Sequence, residues 1–234
     1  GAIYAYLKWR QLTGKEEKTR MAERFGHASA PRPPGRLWWL HAASVGEAVS
    51  LRPLLEAIHN QHPGIHLLLT SGTVSSARML ANTLPAYVTH HYMPVDTPAA
   101  CQRFLAHWQP ELGIFTESEI WPNILTLAHQ RGVKLALINA RMSAKSHQSW
   151  SMLPRMAHTL LGCFSFIAAQ TPADAERLES LGARHIHCLG QLKQDARELD
   201  VEAAQWQRWQ HAVAQRPCLV AASIHPGEDE LIAQ

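Results

Sequence analysis

From residue 37 onward, short apolar runs alternate with longer stretches whose apolar positions recur at helical spacing. The runs at 37–41, 65–70, 88–92, 112–116, 134–138, 165–169 and 185–189 read as buried strands. Helices are expected at 47–61, 74–83, 99–108, 124–131, 149–161 and 172–181. Gly132 and Gly182 follow two of these runs, as glycines that end helices do. Strict strand–helix alternation predicts an α/β fold, a Rossmann-like doubly wound parallel sheet with helices on both faces. The Pro-rich stretch 28–35 separates this pattern from a leading helical arm. At the other end, 202–215 reads as a polar-faced helix, 218–222 as a buried strand, and 223–230 as a turn entering a helix. The organisation expected is therefore an arm at 1–35, a Rossmann-like domain at 36–200, and at 201–234 a linker with the truncated start of a second α/β domain.

The chain has 234 residues, 46% hydrophobic, with mean hydropathy −0.19 and net charge +3. It can bury a core, and its charge gives no global case for nucleic acid. The charge is uneven. Residues 1–36 carry eight Lys/Arg against three Glu, a net of +5, while the remainder is −2. A basic arm suits an acidic surface, with anionic lipid headgroups first; a solvated, charge-paired helix is the equal alternative. Ala2 to Leu7 is apolar and then turns aromatic-basic at Lys8, Trp9 and Arg10, as an interfacial segment or the stub of a longer anchor would. No stretch approaches the length of a spanning helix. Cys101, Cys163, Cys188 and Cys218 are scattered, which points to a reducing compartment and to neither disulfides nor a zinc site. The 15 histidines form no metal-binding spacing, His90 and His91 are adjacent, and most read as surface residues.

Candidate chemistry lies where strands give way to helices, the edge at which open α/β sheets bind ligands. Glu47 stands alone in the turn Ser44-Val45-Gly46-Glu47. An ionised carboxylate at a helix start suits a general base, and the same four residues fit a capping box. Ser71-Gly72-Thr73 offers hydroxyls and N–H groups for a phosphate or sugar, or simple capping. Glu117, Glu119 and Trp121 crowd one turn; carboxylates orient hydroxyls and Trp stacks on sugar faces, while a capping acid and a packing Trp would look the same. Arg141 follows the next strand as an anion fork or an ion-pair partner of the nearby acids. Glu47, Ser71, Glu119 and Arg141 should share one edge. G-x-G-x-x-G, G-x-x-x-x-G-K-[ST] and G-x-S-x-G are all missing.

The segments HAASVGEA (41–48), TESEIWPN (116–123), NARMSAKS (139–146), AAQTPADAERLESLGA (168–183) and GQLKQDA (190–196) closely resemble the Kdo (3-deoxy-D-manno-octulosonic acid) transferases, and AASIHPGEDE (221–230) resembles the opening of their second domain. The resemblance implies the N-terminal half of a GT-B glycosyltransferase, in which this half binds a lipid A precursor and the other binds CMP-Kdo. It implies Glu47 as catalytic base. Ser44, Gly46, Ser71, Thr73, Glu117, Glu119, Trp121, Arg141 and Lys193 become candidate substrate contacts, and Ser223, His225, Gly227 and Glu228 candidate donor-side contacts. It implies CMP-Kdo as donor substrate with no cofactor and no metal, and a place at the cytoplasmic face of the bacterial inner membrane. In the usual tail S-T-H-E-G-E-E, this chain has Ile224 and Pro226 in place of Thr and Glu. Another GT-B-like sugar-nucleotide enzyme, such as a lipid-disaccharide synthase or a 2-epimerase, and a non-catalytic Rossmann-like binding module are the alternatives.

Overall fold

The computed structural model describes residues 2–195, 202–213, 217–222, 224–225 and 227–232. The chain falls into two compact units, Gly1–Ala196 and Arg197–Gln234. The first contains, in order, α1 (Ala2–Leu12), α2 (Met21–Arg24), β1 (Arg36–Ala42), α3 (Val45–Ser50), α4 (Arg52–Gln61), β2 (Ile65–Ser71), α5 (Val74–Thr83), β3 (Val88–Tyr92), α6 (Pro98–Trp108), β4 (Leu112–Thr116), α7 (Pro122–Gln130), β5 (Lys134–Ala140), α8 (Ala144–Ser151), α9 (Pro154–Leu161), β6 (Phe164–Ala169), α10 (Pro172–Ser180), β7 (Ile186–Cys188) and a 3-10 turn at Leu192–Asp195. The second contains α11 (Ala203–Val213) and α12 (Glu228–Ile232).

All seven strands are parallel, in the order β3-β2-β1-β4-β5-β6-β7. The order reverses between β1 and β4, so the crevice at which doubly wound sheets bind ligands opens beyond the C-terminal ends of these two strands. Side-chain alternation divides the core in two. Leu37 and Trp39 of β1, Leu68 of β2, Phe115 of β4 and Leu135 of β5 face one layer. Leu40, Ala42, Leu67, Leu69, Ile114 and Ala136 face the other. Each large side chain so buried contributes roughly 1.5–3 kcal/mol of transfer free energy.

Two expected helices are each split in two. The stretch 47–61 breaks at Leu51 because Pro53 has no N–H to continue the ladder, and α4 restarts with that proline in its first turn. The stretch 149–161 lies across the α8–α9 break, where Pro154 opens α9. The strand expected at 218–222 does not form. Those residues are exposed and unpaired among the described residues, and a strand without a ladder partner leaves its backbone to water.

The leading segment belongs to the same compact unit as the sheet. Leu7, Glu16 and Glu23 are buried. Arg10 and Arg24 pair with Glu16 at 2.8 and 3.4 Å, and Arg20 pairs with Glu23 at 2.7 Å. Three of the arm's eight basic side chains are therefore held by its own acids. Most of the histidines read as surface residues from the sequence, but two are buried. His41 and His91 are 2% and 0% exposed, because each ring nitrogen finds a polar partner inside the fold.

Candidate functional site at the switch point

β1 delivers the turn Ala43–Ser44 directly into α3. Ser44 caps this helix, its Oγ accepting from the Glu47 N–H at 3.3 Å. The Glu47 carboxylate folds back over the same turn. Oε1 accepts from Ser44 Oγ at 2.7 Å, and Oε2 accepts from the Ala43 N–H at 3.0 Å and from Thr116 Oγ1 at 2.7 Å. The capping arrangement is thus present, extended by a third donor from β4. A carboxylate offers about four lone-pair sites, so about one remains free on Oε1. Capping and proton acceptance are compatible in this geometry.

β4 supplies the facing half of the crevice. Thr116, fully buried, touches both Glu47 and the His41 carbonyl, the latter at 3.0 Å. The chain then turns through Glu117, whose φ of 55° is left-handed and rare for a side chain of this type. Asn139, at the end of β5, has φ of 50°. The two kinks interlock. The Glu117 N–H donates to the Ile138 carbonyl, the Arg141 N–H to the Glu117 carbonyl, and Ser118 Oγ to the Arg141 carbonyl. Asp174 Oδ1 accepts the Met142 N–H at 2.8 Å and holds the Arg141 turn from α10. Glu117, Arg141 and Lys193 line a polar cavity of about 360 Å³, together with Asn139, Gln170, Thr171, Asp174 and Gln191. Burial first, and then the charge of Glu47, pushes the Glu117 carboxyl above its ordinary value, against the pull of Lys193 and Arg141.

Glu119 is anchored on both sides. Trp121 Nε1 donates to its Oε2 at 2.5 Å, and His41 Nε2 lies 3.4 Å from the same oxygen. Burial works to raise this carboxyl, but the bonds from His41 and Trp121 hold it below the usual range. Trp121 is 43% exposed and opens α7 without a side-chain cap of its own. Asp96 takes over, its oxygens accepting the N–H groups of Asn123 and Ile124 at 3.0 and 2.8 Å. His41 and Asp96 both escaped sequence reasoning. His41 adjoins an apolar run and reads as strand filler, and Asp96 lies far from the helix it caps.

The β2 turn has a different part. Ser71 is fully buried, its Oγ 2.9 Å from His90 Nε2. Thr73 caps α5, accepting from the Ser76 N–H at 3.1 Å. A Cβ at Gly72 would lie 3.4 Å from the Ala43 carbonyl, so this turn backs the Glu47 turn. Of the donor-side candidates, Ser223 lies outside the described residues. The His225 N–H donates to Glu228 Oε2 at 2.8 Å, and Gly227 takes φ of 93° as the chain enters α12.

A family model described as 3-deoxy-D-manno-octulosonic-acid transferase (kdotransferase) matches residues 19–196. The chain belongs to the Kdo transferase family. It is 37% identical over 98% of its length to a protein of Arabidopsis thaliana named as a probable mitochondrial 3-deoxy-D-manno-octulosonic acid transferase. It is 34% and 32% identical, over 95% and 98% of its length, to proteins named 3-deoxy-D-manno-octulosonic acid transferase from Rickettsia bellii and Haemophilus influenzae. It spans 53–55% of these three, about half the length of each. Among solved structures, the UDP-GlcNAc 2-epimerase of Neisseria meningitidis bound to UDP-GlcNAc superposes with a TM-score of 0.52, covering 77% of this chain and 54% of that one. At 12% identity this likeness speaks for the Rossmann-like fold of GT-B enzymes alone. The segments 41–48, 116–123, 139–146 and 168–183 each begin at the C-terminal end of a strand, β1, β4, β5 and β6 in turn.

Proposed function

We propose that this chain is the acceptor-binding half of a glycosyltransferase that moves Kdo from CMP-Kdo to a hydroxyl of a lipid A precursor. The observation that carries the reading is the pairing of Glu47 and Glu119 across the β1/β4 switch point, joined through Thr116 and His41. In this reading the acceptor hydroxyl approaches the free lone pair of Glu47 and gives up its proton as its oxygen attacks the anomeric carbon. Glu119 and the exposed Trp121 hold the sugar face. Arg141 and Lys193, which form no salt bridge among the described residues, offset negative charge on the donor as its phosphate departs. The chemistry asks for no cofactor and no metal.

The acceptor is a lipid, so the enzyme works where anionic lipid is at hand, at the cytoplasmic face of the inner membrane. Supporting this, α1 exposes Ile3, Tyr4, Tyr6, Trp9 and Leu12. No helix among the described residues is long and apolar enough to cross a membrane.

The test is Glu47→Gln in the full-length protein, assayed with CMP-Kdo and a tetra-acylated lipid A precursor. Glutamine keeps the size of the side chain and most of the cap. Turnover should fall by roughly a hundredfold or more, the scale of a general base, with the fold retained by circular dichroism. Near-wild-type turnover would return Glu47 to capping alone.

A further inference from the structure

His41 is buried on β1 with each ring nitrogen committed, and the reaction as drawn does not use it. Nδ1 lies 2.9 Å from Thr70 Oγ1 and 3.2 Å from the Thr70 carbonyl. Trp39 Nε1 donates to that same Oγ1 at 2.8 Å, so the Thr70 hydroxyl is fixed from both sides. Nε2 faces Glu119 Oε2. A bare lone pair on Nε2 would oppose an ionised carboxylate, so this nitrogen carries a proton whether the ring is neutral or charged. If the ring is neutral, the Thr70 hydroxyl donates to Nδ1; if it is charged, Nδ1–H donates to Thr70. The core thereby fixes the ring, and the ring fixes the carboxylate. Phe115 packs edge-on against it, with centroids 5.7 Å apart. Glu117, in the same turn, feels the charge of Glu119 and cannot donate to it when ionised.

We propose that His41 is a positioning residue: its Nε2–H, braced by the Thr70–Trp39 pair, aims Glu119 into the crevice and keeps it an acceptor for a sugar hydroxyl. The hydroxyl-bearing ligand rests on the transferase reading; the brace itself does not. In chemical class the ligand is a polyol, because an ionised carboxylate beside an indole face recognises vicinal hydroxyls.

The experiment compares His41→Asn with His41→Gln. Asparagine places an amide near the Nδ1 position and leaves Glu119 with the Trp121 bond alone. Glutamine places one near Nε2 and can donate to it. Carboxyl titration by NMR on this chain, with Glu119 assigned through Glu119→Gln, should show the Glu119 midpoint rising by about one pH unit or more in the asparagine variant. It should return toward wild type in the glutamine variant. An unmoved midpoint in the asparagine variant, or an equal rise in both, overturns the proposal. Should the asparagine variant fail to fold, the nitrogen spectrum of His41 in Glu119→Gln gives the same answer: an unchanged Nε2 resonance overturns the proposal. In the full-length protein, the acceptor KM should rise roughly tenfold or more in the asparagine variant, the scale of a bond to a charged group, and recover in the glutamine variant. An unchanged KM overturns it. The titration uses no substrate, so its failure is distinct from failure of the transferase reading, which the Glu47 assay decides.

Discussion

A Cβ built on Gly46 meets no atom within 4 Å, and the residue is not in the left-handed region. The fold therefore gives no steric reason for a glycine inside α3, where glycine costs about 0.5–1 kcal/mol relative to alanine. Gly46 is exposed and immediately precedes Glu47. In the transferase reading, an acceptor that reaches Glu47 passes the turn in which this space lies open. Gly46→Ala should leave the thermal midpoint unchanged or raise it by a few degrees, in line with that propensity difference. The acceptor KM should rise several-fold at the same time. A variant that is more stable yet keeps its KM would show that nothing docks against this residue. Glu117 shows the same principle from the opposite side, since its left-handed backbone holds a strained residue where the crevice needs a carboxylate. Neither feature is legible in the sequence. A glycine in a turn and a glutamate after a strand are ordinary, and only the backbone angle and the empty space around them mark them out.

At the scale of elements, α2 is only four residues long and is held to the sheet by polar bonds rather than by apolar area. Glu23, 1% exposed, accepts from Arg20 Nε and Nη2 at 2.7 Å each, from Ser29 Oγ at 2.6 Å and from the Tyr92 N–H at 2.7 Å. Arg20 also reaches the His90 carbonyl at 3.1 Å and lies over the Tyr92 ring. Burial opposes the charge on Glu23, yet the bonds from Arg20 and Ser29 bring its carboxyl below the ordinary value. A depressed folded value means that the stabilisation is present above the unfolded carboxylate value and is lost as pH falls through the folded one. Glu23→Gln should destabilise by roughly 3–5 kcal/mol at neutral pH, as breaking a buried pair does. The gap from wild type should close as pH falls below about 4, by urea unfolding. A pH-independent gap would mean packing, not charge, holds α2. The strands themselves were legible nearly to the residue, because apolar runs of five or so between turns have few other readings. The helix breaks at Pro53 and Pro154 were legible in principle, since each proline sits inside an otherwise helical pattern. The α2 network was not, because its partners lie about 70 residues apart.

For the whole molecule, local pattern predicted a doubly wound sheet but not the strand order, since pairing between β1 and β4 leaves no trace in either strand. That order alone sets the turn of Glu47 beside the turn of Glu117 and Glu119 and makes one crevice of them. The membrane reading also changes at this scale. The sequence leaves a lipid-binding basic arm and a charge-paired helix as equal readings, and Arg10, Arg20 and Arg24 are tied to buried acids. What remains outward on α1 is aromatic and apolar: Ile3, Tyr4, Tyr6, Trp9 and Leu12, with Lys8 beside Tyr4. Lys8, Lys15 and Lys18 form no salt bridge among the described residues. Such a face suits the headgroup boundary, where aromatic rings sit and lysines meet anionic lipid. Binding of this chain to vesicles rich in phosphatidylglycerol should therefore have two separable parts. Reversing Lys8, Lys15 and Lys18 to Glu should weaken it by about 1 kcal/mol per lysine near the surface, and raising salt should imitate that loss. Replacing Tyr6 and Trp9 by Ala should weaken it by an amount that salt does not change, because apolar burial is not screened. Reversal of Arg10 should act mainly on folding, by breaking its bond to Glu16. Vesicle binding that survives both sets of changes would move the membrane contact off α1.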